Sequence, residues 1–467
     1  MQQSDRSVLL GTTPMRRLVP KVSVPIMISM IVQALYNVVD SIYVAQFDPN
    51  ALTAVSLAAP FQMLMIALST GMGTGINSLI SRRLGERRTQ EARRASWNGL
   101  MIECAGSLLF ILVGLFLTGA IMNLVATPDL NNRASIISMG SDYLSIVTLW
   151  STGLFLAIFI ERTLQSTGNT VASMITQLCG AVTNIVLDPI LIFGGLGIQP
   201  MGVSGAAVAT VVGQWLSAVV GFVFNQVKNK ELRLSLQDFR INSLDLRAII
   251  AVGLPSTIMA SIGSVMNVGM NAILQGFPES NAGLNVMAVY FKLQSFIFMP
   301  VFGLANGIIA IIAYNYGARL KRRIYECIRV ALIWAGTIML IGTLVFLIFP
   351  GQLMSVFESD IDPELTAQMT QIGVVAMRII SISFILAAVG IVLSTVFQAV
   401  GKGVYSMILS ICRQLVILLP AAWVLARLTG SVYAVWWCFP IAELISLFIC
   451  LYMFRKCNQE MIAVLPD

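Results

Sequence analysis

The sequence predicts an all-α polytopic membrane protein, with twelve transmembrane helices in two six-helix lobes related by pseudo-two-fold symmetry. Three observations carry that prediction. The 467 residues are 57% hydrophobic and only 11% charged, with a mean hydropathy of +0.84, whereas soluble domains carry about 25% charged residues. Lys and Arg concentrate in alternate connections between the apolar runs. A pattern of residues in the first half recurs in the second at an offset of 230 to 233.

Taken in order, apolar runs of about 20 residues, the length that crosses a roughly 30 Å hydrocarbon layer, start near residues 20, 53, 96, 137, 171, 203, 248, 286, 326, 371, 404 and 432. With the N-terminus in the cytoplasm, 23 of the 29 Lys and Arg fall on the inner side and 2 on the outer, the other four lying within spans. That asymmetry predicts both termini cytoplasmic and a multi-pass protein of the cytoplasmic (inner) cell membrane. The segments SRRLGERRTQEARR, KNKELRLSLQDFR and GARLKRR carry most of the positive charge, and the predicted outer loop with Glu358, Asp360, Asp362 and Glu364 carries none. The first apolar run is too long for a signal-peptide core and has no small-residue cleavage site, so it is expected to be retained.

The repeat is read from ordered blocks. Pro25 and Asn37 recur as Pro255 and Asn267, Gly71, Gly75 and Gly85 as Gly303, Gly307 and Gly317, and Gln165, Gly168, Ser173, Met174 and Ile175 as Gln398, Gly401, Ser406, Met407 and Ile408. Each half has an even number of spans, so the halves share one orientation about an axis along the membrane normal, an arrangement that supports rocking of two lobes around a central cleft. The expected division is an N-terminal lobe over residues 1–225, a cytoplasmic linker over 226–247 and a C-terminal lobe over 248–467.

Several functions are excluded by what the chain lacks. It has no histidine, no GxxxxGK[ST] phosphate loop and no HExxH, which removes the usual equipment for ATP hydrolysis and zinc chemistry. No enzyme activity and no cofactor are expected. The seven cysteines are scattered without a CxxC, giving neither a disulfide framework nor a metal site. The net charge of +7 belongs to orienting loops, so nucleic acid is not an expected partner. Energy for transport then comes from an ion gradient, and a side chain that exchanges protons near neutral pH must be a carboxylate, because Tyr, Lys and Arg titrate too high.

Carboxylates inside spans are costly and are functional candidates by default. Asp40 in LYNVVD shares a helix face with Tyr36 and Asn37, and Asp188 in TNIVLDP shares one with Asn184 and Gly180. Asp40 is 19 residues past Lys21 and Asp188 is 19 past Asn169, which places both about 28 Å along their helices. Thr210, about 12 Å below the outer edge on the descending sixth span, reaches the same level. Two carboxylates, an amide and a hydroxyl at one depth form either a shared-proton site or an all-oxygen sodium site; the bland alternative is that the two acids cap helix ends. The seventh-span counterpart of Asp40 is Met270, and spans seven to eleven contain no acid, which assigns the ion site to the N-terminal lobe. Arg413 and Glu443 both fall near mid-depth and are expected to form an ion pair in the C-terminal lobe. Glu103, Glu161, Lys292 and Arg378 are weaker candidates. The 24 Met and 23 Phe suit an adaptable apolar pocket, although most such residues face lipid or neighbouring helices. The GMGTG run at Gly71–Gly75 reads as a helix-packing surface.

The runs VPIMISMIVQALYNVVDSIYVAQF, RTLQSTGNTVASMITQLCGAVTNIVLDPILIF, GVSGAAVATVV and IAYNYGAR resemble the multidrug and toxic compound extrusion (MATE) transporters over nearly the whole chain. The resemblance implies two lobes around a cleft open alternately to each side. It also implies export of amphipathic, often cationic small molecules against H+ or Na+, by a chain able to act as a monomer. Residue by residue, Asp40, Asn184, Asp188 and Thr210 match the cation site of the DinF-like branch, with Tyr36 beside it. Pro25 matches a proline whose helix has been proposed to bend on protonation. The chain departs from the NorM-like branch, which has acids in spans seven and ten. A lipid or glycan-precursor flippase of the same superfamily is the alternative.

Overall fold

Lipid offers no hydrogen bonds to the backbone, so a chain this apolar closes its amide bonds within helices. The computed structural model describes residues 7–126, 132–195, 197–356 and 363–466. Twelve membrane-crossing helices account for most of them: α1 Met15–Phe47, α2 Pro49–Gly85, α3 Thr89–Phe116, α4 Arg133–Leu149 with Thr152–Ser166, α5 Thr170–Ile192 and α6 Val203–Lys228. The second half comprises α7 Ser243–Leu274, α8 Ser280–Gly317, α9 Lys321–Ile348, α10 Pro363–Ser381 with Phe384–Ala399, α11 Gly403–Thr429 and α12 Val432–Ile462. Most helices start a turn or two before the apolar runs, because their first turns are polar, as in Thr89–Arg94 and Ser243–Arg247. Helix also continues to Lys228 and resumes at Ser243, leaving 229–242 between the halves. Of the acidic outer loop, Glu358, Asp360 and Asp362 lie outside the described residues.

Local chemistry sets the boundaries. Asp48 Oδ1 accepts from Asn50 N at 2.8 Å, with Pro49 in the first turn, which caps the start of α2. Gly430 at φ 62° ends α11 in the left-handed region that favours glycine. α1 runs through Pro20 and Pro25 as one helix. α4 and α10 are bent, by 47° and 49°, at positions 232 residues apart, a feature the apolar runs did not disclose. At the bend in α10 a hydroxyl supplies a missing bond, Thr343 donating to Ser381 O at 2.9 Å, and at the bend in α4 Ser151 ties the break to α3 by donating to Ser107 O at 3.3 Å.

The repeat is visible as a reciprocal lobe interface. α2 lies against α7 and α8, and α8 lies against α1. A Cβ on Gly71 would stand 2.8 Å from Thr257 Cα, and one on Gly303 would stand 2.6 Å from Met27 Cα. Gly303 is the counterpart of Gly71, and Thr257 of Met27, so the two contacts are images of one another. The same reciprocity links Gly75 on Gly253 to Gly307 on Ser23, and Gly85 on Tyr314 to Gly317 on Arg82. These glycines let backbones cross at close range, as small residues do between membrane helices.

These crossings fall in the half of the molecule that holds the termini. There one apolar core is continuous through both lobes, from Leu18, Ile80 and Leu164 to Ile249, Ile308 and Ile311. The far half of the N-terminal lobe has a separate core, including Val44, Met65, Tyr143, Phe155 and Val203, which no C-terminal residue joins. A cleft therefore separates the lobes at the end away from the termini. A short helix, Val8–Thr12, straps the closed end. Ser7 N and Oγ donate to the Glu231 carboxylate, the Oγ at 2.7 Å, and Arg323 Nη2 donates to Leu10 O at 3.1 Å and Thr13 O at 2.7 Å. An acid sits at the strap's N-terminus and a guanidinium at its C-terminus, each matching the helix dipole.

Candidate functional site

In the N-terminal lobe, near the open end, α1, α5 and α6 bring four of the predicted residues together. Asn184 Nδ2 donates to Asp188 Oδ1 and to Thr210 Oγ1, both at 3.3 Å. The Asp40 and Asp188 carboxylates stand within hydrogen-bond reach of one another. Tyr36, one turn before Asp40, lies within electrostatic reach of both acids. Asp188 and Asn184 are 0% and 3% exposed. Asp40 is followed by seven more helical residues, so it is interior to α1; Asp188 is in the last turn of α5, directly before Pro189.

The arrangement follows from packing. α5 and α6 approach through Gly180 and Gly213, and a Cβ on Gly180 would stand 2.9 Å from Gly213 O while colliding with Ser217 Oγ. That contact sets Asn184, one turn further along α5, opposite Thr210 of α6. Three buried oxygens, Asp40 Oδ1, Asp188 Oδ2 and Asn184 Oδ1, have no protein hydrogen-bond partner. Two carboxylates at this separation repel unless a proton or cation sits between them, and buried unsatisfied acceptors supply the ligands.

Two residues of this site were not singled out in the sequence. Tyr143 of α4 is 2% exposed and lies within electrostatic reach of Asp40, Asp188 and Tyr36. Its hydroxyl donates to Gln62 Oε1 of α2 at 3.2 Å. The available signal was an amide within a span, but which helix it faces depends on tertiary packing.

Other candidates lie elsewhere. Arg413 Nη1 stands 3.3 Å from Glu443 Oε1, with side chains 24% and 17% exposed. Arg413 belongs to a π-helical stretch, Cys412–Leu418, inside α11. Glu161 accepts from Gln165 and Gln177 at 2.7 Å each, and Glu103 accepts from Ser69 at 2.7 Å. Both are internal to the N-terminal lobe, apart from the Asp40 group. Among the described residues no cluster of three or more His, Cys, Asp or Glu is placed to hold a metal.

Two helical lobes in one membrane-spanning chain, closed at one end and parted at the other, define a transporter and not an enzyme. The MatE family profile matches residues 25–190 and again 255–424, the two starts being 230 apart, and the chain belongs to that family. The multidrug export protein MepA of Staphylococcus haemolyticus is 25% identical over 432 residues, 92% of this chain and 91% of that protein. A solved structure described as an outward-facing multidrug resistance MATE family transporter of the MOP superfamily superposes with a TM-score of 0.88 at 25% identity, over 97% of this chain and 98% of that one. A MOP superfamily transporter from Pyrococcus furiosus, for which a binding pocket of reversed polarity suggests a different function, gives 0.89 at 25% identity over the same shares.

Proposed function

We propose that this chain expels amphipathic, often cationic small molecules from the cell in exchange for H+ or Na+, with the cation bound by Asp40, Asn184, Asp188 and Thr210 beside Tyr36. The observation that carries the reading is the facing of two carboxylates with three unpartnered oxygens inside the N-terminal lobe. Both termini are on the cytoplasmic side, so the cleft opens outward and exposes the site to the incoming cation. Cation entry neutralises the carboxylates, drug leaves the cleft, and the lobes rock about their glycine crossings to open inward. One cation moving down 100 mV supplies about 2.3 kcal/mol, enough for roughly a forty-fold gradient of a neutral drug. Pro25 leaves the carbonyl of Lys21 without its helical donor, which lowers the cost of bending α1 when Asp40 changes charge. One chain holds both lobes and the whole cleft, so it acts as a monomer.

Asn184 turns its nitrogen toward Asp188 and Thr210. That orientation suits a proton shared by the carboxylates; sodium would require the amide to turn over and present Oδ1. A flippase for lipid or glycan precursors would need a basic cleft, and Arg413 is already matched by Glu443.

The test is dye efflux from proteoliposomes under an imposed pH gradient or an imposed sodium gradient. Efflux driven by one gradient and lost in Asp40→Asn is expected. Efflux untouched by Asp40→Asn would remove the site from the mechanism, and no efflux under either gradient would favour the flippase.

A further inference from the structure

The segment joining the lobes, residues 229–242, carries Lys230, Arg233 and Arg240 beside Glu231 and Asp238; Leu232 is buried in the core, but the apolar side chains from Leu236 onward are turned outward. Leu236 is 82% exposed, Ile241 65% and Phe239 45%, and Leu244 at the start of α7 is 69% exposed. Arg233, Arg240 and Arg247 are interspersed with them and are also exposed. Isolated apolar residues on a surface need no explanation, but a group of four in nine residues marks a contact.

The linker is not a free loop. Trp97 Nε1 of α3 donates to Ser235 O at 2.9 Å, and its ring meets Phe239 edge-on at 5.4 Å. Asn98 donates to Arg240 O at 3.1 Å and accepts from Asn242 N at 3.0 Å, while Arg93 donates to Glu231 O at 2.9 Å. Asn98, which also donates to Arg94 O of its own helix at 2.8 Å, thus fixes the linker to the N-terminal lobe through both its nitrogen and its oxygen.

The depth of that attachment follows from helix length. The 28 residues of α3 extend about 42 Å, some 12 Å more than the roughly 30 Å hydrocarbon layer. With Phe116, 76% exposed, at the far boundary, the near boundary falls about eight residues into α3, at Trp97 and Asn98. The linker therefore lies at the level where acyl chains meet headgroups. Its apolar side chains continue the lipid-facing surface of the flanking helices, where Val227 is 66% and Ile250 42% exposed.

We infer that the inter-lobe linker is an interfacial anchor whose Leu236, Phe239 and Ile241 enter the acyl boundary while Arg233 and Arg240 engage anionic lipid headgroups. A segment that intersperses exposed apolar residues with Arg binds the interface by buried area plus attraction to anionic lipid. Because the linker is bonded to α3, the anchor holds the N-terminal lobe at a fixed height and leaves the C-terminal lobe free to rock.

The test uses the full chain, with its seven cysteines replaced, carrying L236C or R322C labelled with bimane in vesicles. Arg322, its side chain 89% exposed in the first turn of α9, reports the aqueous reference. Quenching by acyl-brominated lipid several-fold stronger at 236 than at 322, with aqueous iodide giving the reverse order, is expected. Equal behaviour of the two positions overturns the inference. Adding phosphatidylglycerol to phosphatidylcholine vesicles should deepen the label at 236, and R233Q/R240Q should abolish that response. A response that survives the double substitution overturns the headgroup assignment. The readout needs no transport, so it stands apart from failure of the antiport reading.

Discussion

The two lobes share a fold and differ at one level of it. Where the N-terminal lobe has Gly180 on α5, the C-terminal lobe has Arg413 on α11, at the 233-residue offset. Counted from the starts of α6 and α12, Gly213 and Gln214 occupy the level taken by Glu443. In one lobe two glycines bring the helices together and align Asn184, Asp188 and Thr210 above the contact. In the other a half-buried ion pair fills the same place, the helix is wound as a π stretch, and the counterparts of Asp40, Asn184 and Asp188 are Met270, Ile417 and Ala421. The repeat gives a symmetric two-lobed frame, and local differences leave one half with a polar site and the other with an internal strut.

The largest expected effect tests the polar half. Asp40→Asn or Asp188→Asn should lower gradient-driven dye efflux at least about a hundred-fold, the scale at which loss of a positioned proton-transfer group acts, while the thermal midpoint changes little. Next comes the strut. Arg413→Ala strands a half-buried carboxylate and should cost about 3 kcal/mol of stability, the low end for breaking a buried pair. The charge-reversed Arg413→Glu with Glu443→Arg should restore the melting temperature, and Arg413→Met with Glu443→Met should keep efflux. If the double Met protein folds but does not transport, the ion pair belongs to the mechanism and the contrast between lobes fails. Gly180→Ala is expected to cost about 1 to 3 kcal/mol by overpacking and to lower coupling by moving Asn184. The same change at Gly390, where a Cβ meets nothing within 4 Å, should be neutral in thermal melting.

The smallest effect concerns closure. Arg323→Ala removes two bonds from a partly exposed guanidinium to the strap, where water can replace the lost donor. It should raise the alkylation rate of a cysteine placed at Ser78, whose hydroxyl donates to Gln398 O and Ala399 O across the lobes, in a chain with its native cysteines replaced, without lowering the melting temperature by more than a few degrees.

The spans and the repeat were legible in the sequence because lipid leaves the backbone one local option and because offsets survive duplication. Asp40, Asn184, Asp188 and Thr210 could be placed at one depth by counting helical rise. Tyr143 and Gln62 could not, since each joins the site from a helix whose facing is decided by neighbours. The bends in α4 and α10 carry no proline to announce them. Nor could the sequence show which end of the cleft is closed, which depends on reciprocal glycine crossings between distant segments.

The most direct test of the contrast is ligand exchange on purified protein. Proton release on adding substrate dye, followed with a pH indicator, and radiolabelled sodium binding would be measured for wild type, Asp40→Asn/Asp188→Asn and Arg413→Met/Glu443→Met. One of the two signals should be present in wild type and in the Met variant and absent from the Asn variant. A signal that persists without both N-terminal carboxylates, or that disappears with the C-terminal pair, would contradict the assignment of the coupling site to the N-terminal lobe.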